Sequence, residues 1–260
     1  GRVRTYVLHR QLERHLAGAP SSVLDVGGGA AHQSLPLARL GDDVTVLDPS
    51  PAMLAKAEQR LAAEPADVRA RVTLLQADGE SAVRATDGRR FAAVLCHGVL
   101  MYQPSPEPLL DALCACVEPG GLVSVMALNA ATMAVRPALD HRWDDALTAF
   151  DATDEVGVLG TPTRGDTVDD LSRLLAARGV DAQAWYGVWL FTDWTDVPLE
   201  GTDVEAVAAV ELEASLRDPY RAMSRVFHLV GRAGQDGQDE ASSACTAASP
   251  SADRCGAESR

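Results

Sequence analysis

Val23-Leu24-Asp25-Val26-Gly27-Gly28-Gly29-Ala30 decides the fold. A short apolar strand runs straight into three glycines, and a helical pattern follows at residues 34–40. Glycines between a strand and a helix let a ligand lie against bare backbone, where side chains would block it. A second strand, residues 43–47, ends in Asp48-Pro49-Ser50. An acidic residue at that point suits the paired hydroxyls of a ribose.

Outward from this stretch, strand and helix patterns alternate. Residues 3–16 place Leu8, Leu12 and Leu16 on one stripe, which predicts a leading helix. Ser50 followed by Pro51 reads as a helix cap and first helical position. Residues 72–75 and 91–96 read as the third and fourth strands. A helix at 106–117 is stopped by Pro119-Gly120-Gly121, and the nearly all-apolar run 122–128 is a central fifth strand. A helix at 167–178 ends at Gly179. Residues 184–191 and 225–230 are the last strands, with an acidic helix at 203–216 between them. The alternation predicts an α/β fold with a doubly wound, Rossmann-like sheet.

Between 129 and 165 the pattern weakens, and this stretch reads as an insertion that covers a site. Residues 233–260 are rich in Ser, Ala, Gly and Asp and read as a disordered tail, leaving 1–232 as the domain.

The 260 residues carry a net charge of −14, and Lys56 is the only lysine. Binding to phosphate backbones draws on clustered cations, so this balance disfavours nucleic acid as a general partner, although a local basic patch stays compatible with it. No apolar run reaches the roughly 18 residues that a membrane helix needs. The chain opens Gly1-Arg2-Val3-Arg4, without an initiator Met or an apolar signal segment, and reads as a trimmed or partial chain with a cytoplasmic setting. Cys96, Cys114, Cys116, Cys245 and Cys255 fit no zinc spacing and read as reduced thiols, so no metal is expected.

The glycine loop narrows the ligand. A dinucleotide fingerprint wants a glycine where His32 stands, and an apolar residue where Asp25 stands. A carboxylate beside the loop suits a cofactor that carries an amino group and no pyrophosphate. S-adenosyl-L-methionine is such a molecule. A turn without ligand and a nicotinamide or flavin site remain the alternatives. Asp78, after the third strand, would accept from an adenine amino group, with Gly79 leaving room beside it. Cys96-His97-Gly98-Val99-Leu100 falls at the carboxyl edge of the sheet, where ligands of such sheets bind.

Leu24-Asp25-Val26-Gly27-Gly28-Gly29, Leu95-Cys96-His97-Gly98-Val99-Leu100, Glu118-Pro119-Gly120-Gly121-Leu122 and Leu128-Asn129-Ala130 together resemble the class I methyltransferases. More narrowly, the chain resembles the bacterial tRNA 5-carboxymethoxyuridine methyltransferase family, which methylates the carboxylate of a modified wobble uridine. The resemblance implies a seven-stranded sheet with its last strand antiparallel. It implies that Arg4 meets the cofactor's carboxylate and that Gly27 and Gly28 pass beside its methionine part. Asp48 would then bind the ribose, Asp78 and Gly79 would flank the adenine, and His97 would lie near the sulfonium. The chain departs from that family in its acidic stretch at 151–163, where the family carries lysines. It departs again at Met101-Tyr102-Gln103, where the family tends to have an acid and a tryptophan. Segments preceding Gly1 in the family have no counterpart in the given sequence.

Methyl transfer to a carboxylate needs no base, whereas a hydroxyl usually needs one. His97 and His141 are the candidate bases. Tyr102, Asn129, Arg136 and Arg142 are the candidate acceptor-site residues, the arginines as a carboxylate clamp. Trp143, Trp185, Trp189 and Trp194 are candidate walls. The expected activity is O-methylation of a carboxylate or hydroxyl, on a modified tRNA nucleoside or on a small metabolite. A non-catalytic cofactor-binding module is the alternative from another class.

Overall fold

The computed structural model describes residues 2–16, 21–157, 160–194 and 204–235. The strands are β1 (Ser22–Val26), β2 (Asp43–Asp48), β3 (Val72–Gln76), β4 (Phe91–His97), β5 (Val117–Asn129), β6 (Asp154–Val156), β7 (Pro162–Asp166), β8 (Val180–Val188) and β9 (Val226–Ala233). The helices in the first half are α1 (Arg2–Leu12), α2 (Ser34–Leu40), α3 (Pro51–Ala62), α4 (Ala66–Arg69), α5 (Ala82–Ala85) and α6 (Glu107–Ala115). Those in the second half are α7 (Val135–Leu139), α8 (Trp143–Ala149), α9 (Val168–Ala176), α10 (Phe191–Trp194) and α11 (Val204–Ala214).

Local chemistry explains the boundaries near the glycine loop. Gly41 ends α2 in a left-handed conformation, φ 109°, and its N–H returns to the Ala38 carbonyl. Ser50 caps α3: its Oγ accepts from the Met53 N–H at 3.3 Å, and Pro51 needs no partner at the first position. Thr167 caps α9 in the same way, accepting from the Asp170 N–H at 3.0 Å.

Strands β3, β2, β1, β4 and β5 pair in parallel in that order, which is what helical crossovers demand. β9 runs antiparallel against β5 from Leu122 to Leu128, and β8 pairs antiparallel with β9. These seven strands form the expected core sheet. The hairpin β6–β7 is an addition. β7 pairs in parallel with only the last two residues of β5, Leu128 with Gly165 and Asn129 with Asp166. Apolar residues from both faces of the sheet bury two clusters: Leu24, Val94, Val125 and Phe227 anchor one, and Val23, Val46, Leu95 and Val230 the other.

The Pro119-Gly120-Gly121 segment differs from its expected role as a stop between helix and strand. β5 already begins at Val117, which pairs with Phe91, and the ladder resumes at Leu122 opposite Ala93. The extra residues are absorbed as a bulge with Gly120 at φ 72°. β8 starts at Val180 rather than 184, because pairing with β9 extends it past its apolar stretch. The stretch expected as an insertion holds α7, α8 and the β6–β7 hairpin. Most of the expected tail, with Cys245 and Cys255, lies outside the described residues. Cys96 and Cys116 are buried and Cys114 partly so, all three free. Burial raises each thiol above its ordinary range, Cys114 to about 11.

Candidate functional site

The chain leaves β1 through a loop pinned to β2. The Gly27 N–H donates to the Leu47 carbonyl at 2.7 Å and the Gly28 N–H to the same oxygen at 3.4 Å. Gly27 and Gly29 adopt left-handed φ of 71° and 56°, which glycine reaches without strain. A Cβ on Gly28 would stand 2.7 Å from Asp25 Oδ2 and 2.9 Å from Val46 Cγ1, so only a bare backbone passes there.

Two carboxylates flank this loop. Asp48, at the end of β2, accepts from the Gly29 N–H at 2.9 Å through Oδ2 and from the Ser50 N–H at 2.9 Å through Oδ1. Each oxygen keeps a second lone pair. Asp25 is buried in β1, and Ser34 Oγ donates to its Oδ2 at 2.5 Å. Burial pushes the Asp25 carboxyl up to about 6, the Ser34 hydrogen bond opposing the rise and the neighbouring Asp48 charge adding to it.

Arg4 of α1 lines the same crevice as Asp25. Its guanidinium stacks over the Trp189 ring, 4.7 Å from the centroid, and burial lowers its pKa. The crevice has a volume of about 150 Å³ and is lined by Arg4, Asp25, Gly27, Gly28, Gly29 and His97, with Gln33, Met53 and Met126 completing its walls. Two buried polar atoms there have no partner among the described residues: Gln33 Oε1 and His97 Nδ1. Burial and the Arg4 charge push His97 down to about 3, so its ring is neutral at ordinary pH.

Beyond Met126 the crevice is followed by a second cavity. Met126 and Leu128 lie two residues apart on β5 and share a face. Leu128 lines this cavity of about 260 Å³ together with Met101, Tyr102, Trp189 and Val226. Thr163, Glu155 and Gly157 of the hairpin close its far side. A wider cleft of about 700 Å³ adjoins it, and the two share Glu155, Asp193 and Arg225.

The arginines of this region are ion-paired. Arg225 Nη1 donates to Glu155 Oε2 at 3.0 Å, its Nη2 donates to Glu155 Oε1, and its Nε stands 3.7 Å from Asp193 Oδ2. Arg136 donates to the backbone and carboxylate of Asp193. Arg142 bridges Asp140 and Asp145 at 3.4 and 2.7 Å.

The structure therefore brings Arg4, Asp25, Gly27, Gly28 and His97 to one crevice and sets Asp48 beside its loop. Asp78 stands exposed at the end of β3, where Oδ1 accepts from the Ser81 N–H at 2.8 Å. A Cβ on Gly79 would strike Leu109 at 2.7 Å and Val26 at 3.0 Å, so that glycine permits helix–strand packing. Tyr102 lies in the second cavity, 47% exposed.

Four candidates stand otherwise than expected. Asn129 Nδ2 donates to the carbonyls of Ala222 and Ser224, and its Oδ1 accepts from the Ala131 N–H, so its amide holds loops together and has no hydrogen left to donate to an acceptor. His141 is exposed in a left-handed turn at φ 60°, stacked on Trp143, and lines none of the described cavities. Arg136 and Arg142 line the wide cleft, but their carboxylate partners oppose a carboxylate clamp. Of the tryptophans, Trp189 lines the second cavity while Trp143 is 62% exposed.

Sequence reasoning missed Ser34, Gln33, Gln11, Ser124 and His228. The last three are 0% exposed. A signal existed for these three: each is a polar residue on an otherwise apolar stripe of its helix or strand.

Among the described residues no group of three His, Cys, Asp or Glu is placed to hold a metal. No described helix is long and apolar enough to cross a membrane.

Comparison with known proteins agrees with this layout. A family profile described as "Methyltransferase domain" matches residues 23–121. The tRNA 5-carboxymethoxyuridine methyltransferase of Escherichia coli O157:H7 is 25% identical over 239 residues, covering 90% of each chain. The ubiquinone biosynthesis O-methyltransferase of Methylobacterium nodulans is 37% identical over 110 residues, covering 42% of this chain and 41% of that one. The structure of the glycopeptide N-methyltransferase MtfA with S-adenosyl-L-methionine superimposes with a TM-score of 0.57 at 18% identity, covering 88% of this chain and 94% of that one. The shared fold is the class I, Rossmann-like one.

Proposed function

We propose that this chain, an S-adenosylmethionine-dependent methyltransferase, moves the cofactor's methyl group to a hydroxyl oxygen of a compact, uncharged acceptor seated under the β6–β7 hairpin. The observation that carries this reading is the ion pairing of the arginines on the acceptor side. Arg225 and Arg136 are neutralised by Glu155 and Asp193, and the remaining walls of the inner cavity are largely apolar. An anionic acceptor would have to displace a carboxylate from a half-buried arginine, and breaking such a pair is costly.

The residues of the crevice fit the cofactor. Asp48 has free lone pairs for two ribose hydroxyls. Arg4 and Asp25 present opposite charges for an amino-acid carboxylate and ammonium, and the glycines leave no side chain in the way. Gln33 Oε1 and His97 Nδ1 are buried in the crevice without a partner among the described residues, so a bound group can satisfy them. When bound, the cofactor supplies a methyl group already activated on a cationic sulfur. The chain's own part is alignment and the exclusion of water, which ordinarily contribute several kcal/mol. Trp189 and Leu128 give the inner cavity apolar walls, and Tyr102 offers a phenol there.

A second reading is the carboxylate of a modified wobble uridine. It is supported by the similarity to the Escherichia coli tRNA enzyme over 90% of both chains. One experiment separates the two. The purified chain is given methyl-labelled cofactor with a panel of phenols and catechols, a matching panel of carboxylic acids, and total tRNA at low salt. Label in the hydroxyl compounds, insensitive to salt, is expected. Label confined to tRNA and lost steeply as salt rises would replace this reading with the second.

A further inference from the structure

A line of buried polar side chains crosses the sheet from α1 to the crevice. Gln11 Nε2 lies 3.1 Å from the Gly187 carbonyl, and Gln11 Oε1 lies 2.8 Å from His228 Nδ1. His228 Nε2 lies 2.7 Å from Ser124 Oγ, which lies 2.8 Å from His97 Nε2. Gln11, Ser124 and His228 are each 0% exposed.

Elementary hydrogen-bond accounting gives this line one direction. A carbonyl can only accept, so the group of Gln11 facing Gly187 is the NH₂ and the group facing His228 is the amide oxygen. That oxygen can only accept, so His228 Nδ1 carries a hydrogen. A neutral imidazole has one N–H, so His228 Nε2 is a lone pair. Ser124 must then donate its single hydrogen to His228, and its oxygen accepts from His97. His97 Nε2 is therefore the protonated nitrogen. The other nitrogen, Nδ1, is a bare lone pair, and it is the buried atom without a partner. Both rings stay neutral: burial lowers His228 well below its ordinary range, and the His97 and His15 rings beside it act the same way.

We propose that Gln11, Ser124 and His228 are positioning residues that hold His97 in its Nε2-protonated tautomer, so that the crevice wall presents a hydrogen-bond acceptor to an incoming N–H or O–H donor. Two donors have this chemistry: the amino group of the cofactor and the hydroxyl of the acceptor. The inference rests on the enzyme class, and it bears on the choice of acceptor. His97 presented this way cannot donate to an acceptor carboxylate. A hydroxyl acceptor would find a lone pair; a carboxylate would find repulsion.

Long-range nitrogen–proton correlation spectra of the histidine-labelled chain test this directly. His97→Gln and His228→Gln locate the two rings among the six histidines. In the wild type, His97 Nδ1 is expected at the imine position and Nε2 at the protonated one, with the reverse pattern at His228. A protonated His97 Nδ1 overturns the proposal without any variant having to fold. Ser124→Ala is expected to give a mixed tautomer at His97, and Ser124→Thr, which keeps the hydroxyl, to restore it. An unchanged His97 pattern in Ser124→Ala overturns the positioning role.

Adding S-adenosylhomocysteine, and then catechol, identifies the donor. An upfield move of Nδ1 with S-adenosylhomocysteine alone supports a bond to the cofactor's amino group. A move only after catechol supports a bond to the acceptor hydroxyl. No move with either overturns the presentation of an acceptor to ligand. Ser124→Ala is also expected to lower turnover at least tenfold while changing S-adenosylhomocysteine affinity less than threefold if the donor is the hydroxyl, and to weaken that affinity if it is the cofactor.

Discussion

The backbone N–H of Gly29 donates to Asp48 Oδ2 across 2.9 Å, and this bond ties the loop after β1 to the tip of β2. The residue that would grip a sugar is thus also the one that shapes the glycine cradle. Asp48→Ala removes both effects. Binding of S-adenosylhomocysteine, followed by calorimetry, is expected to weaken by about 1–3 kcal/mol, the usual cost of lost charge-assisted hydrogen bonds. Asp48→Asn, which keeps an oxygen for the Gly29 N–H, is expected to lose less. Equal affinity in all three proteins would remove Asp48 from the site.

Gly28→Ala tests the close approach of the backbone. The added methyl would meet the Asp25 carboxylate at 2.7 Å and Val46 at 2.9 Å. Overpacking of this kind typically costs about 1–3 kcal/mol, read as a lower urea midpoint. The cradle should distort as well, with S-adenosylhomocysteine affinity falling at least tenfold. A stable variant that binds normally would mean the loop has room to spare.

Asp25 makes stability depend on pH in a defined direction. Its folded carboxyl titrates at about 6 and its unfolded one near 3.8. Between those values the folded chain holds a proton that the unfolded chain has released. Stability contributed by this group is therefore present below about pH 4 and lost as pH rises through 6. The shift corresponds to about 3 kcal/mol. Asp25→Asn can still accept from Ser34 and lacks this slope. It is expected to match the wild type at pH 4 and to exceed it at pH 8, in thermal melts. Its affinity for S-adenosylhomocysteine should fall, since the ammonium loses a charge partner. Parallel melting profiles for the two proteins across pH 4–7 would contradict the burial of this carboxyl.

Glu155→Gln tests the neutralised arginines. Arg225 would keep a neutral hydrogen-bond partner and the Asp193 carboxylate 3.7 Å away, but lose its nearest charge. In the presence of S-adenosylhomocysteine, benzoate is expected to bind the variant at least fivefold more tightly than the wild type. No change would show that the ion pair does not govern acceptor charge.

Much of the crevice and its surroundings was legible in the sequence, for physical reasons. β1 and α2 fall where the apolar run and the helical stripe put them, because Gly27 to Gly29 and Gly41 punctuate both ends. Asp25, Asp48 and His97 could be picked out because strand ends in a parallel sheet converge on one edge. The acceptor half was harder to read. Arg136, Arg142 and Arg225 look like free cations in one dimension. Their partners, Asp193, Asp140 and Glu155, are supplied by the four-residue helix α10, the end of α7 and a hairpin, all too short to carry a periodic signal. Asn129 looked like a site residue because it ends a central strand, yet its amide is spent on a loop some 93 residues away. Gln11, Ser124 and His228 show in the sequence only as isolated polar residues on apolar stripes; the hydrogen bonds that join them link three elements far apart in the chain, which no spacing reveals.

The β6–β7 hairpin hangs from the sheet by two rungs, at Leu128 and Asn129. It therefore works as an exchangeable fitting: lengthening, recharging or replacing it would refit the enzyme for another molecule while the glycine-loop end kept its shape. Selectivity and methyl supply would drift at separate rates in such a scaffold, and a graft of this one hairpin would be enough to begin retooling it.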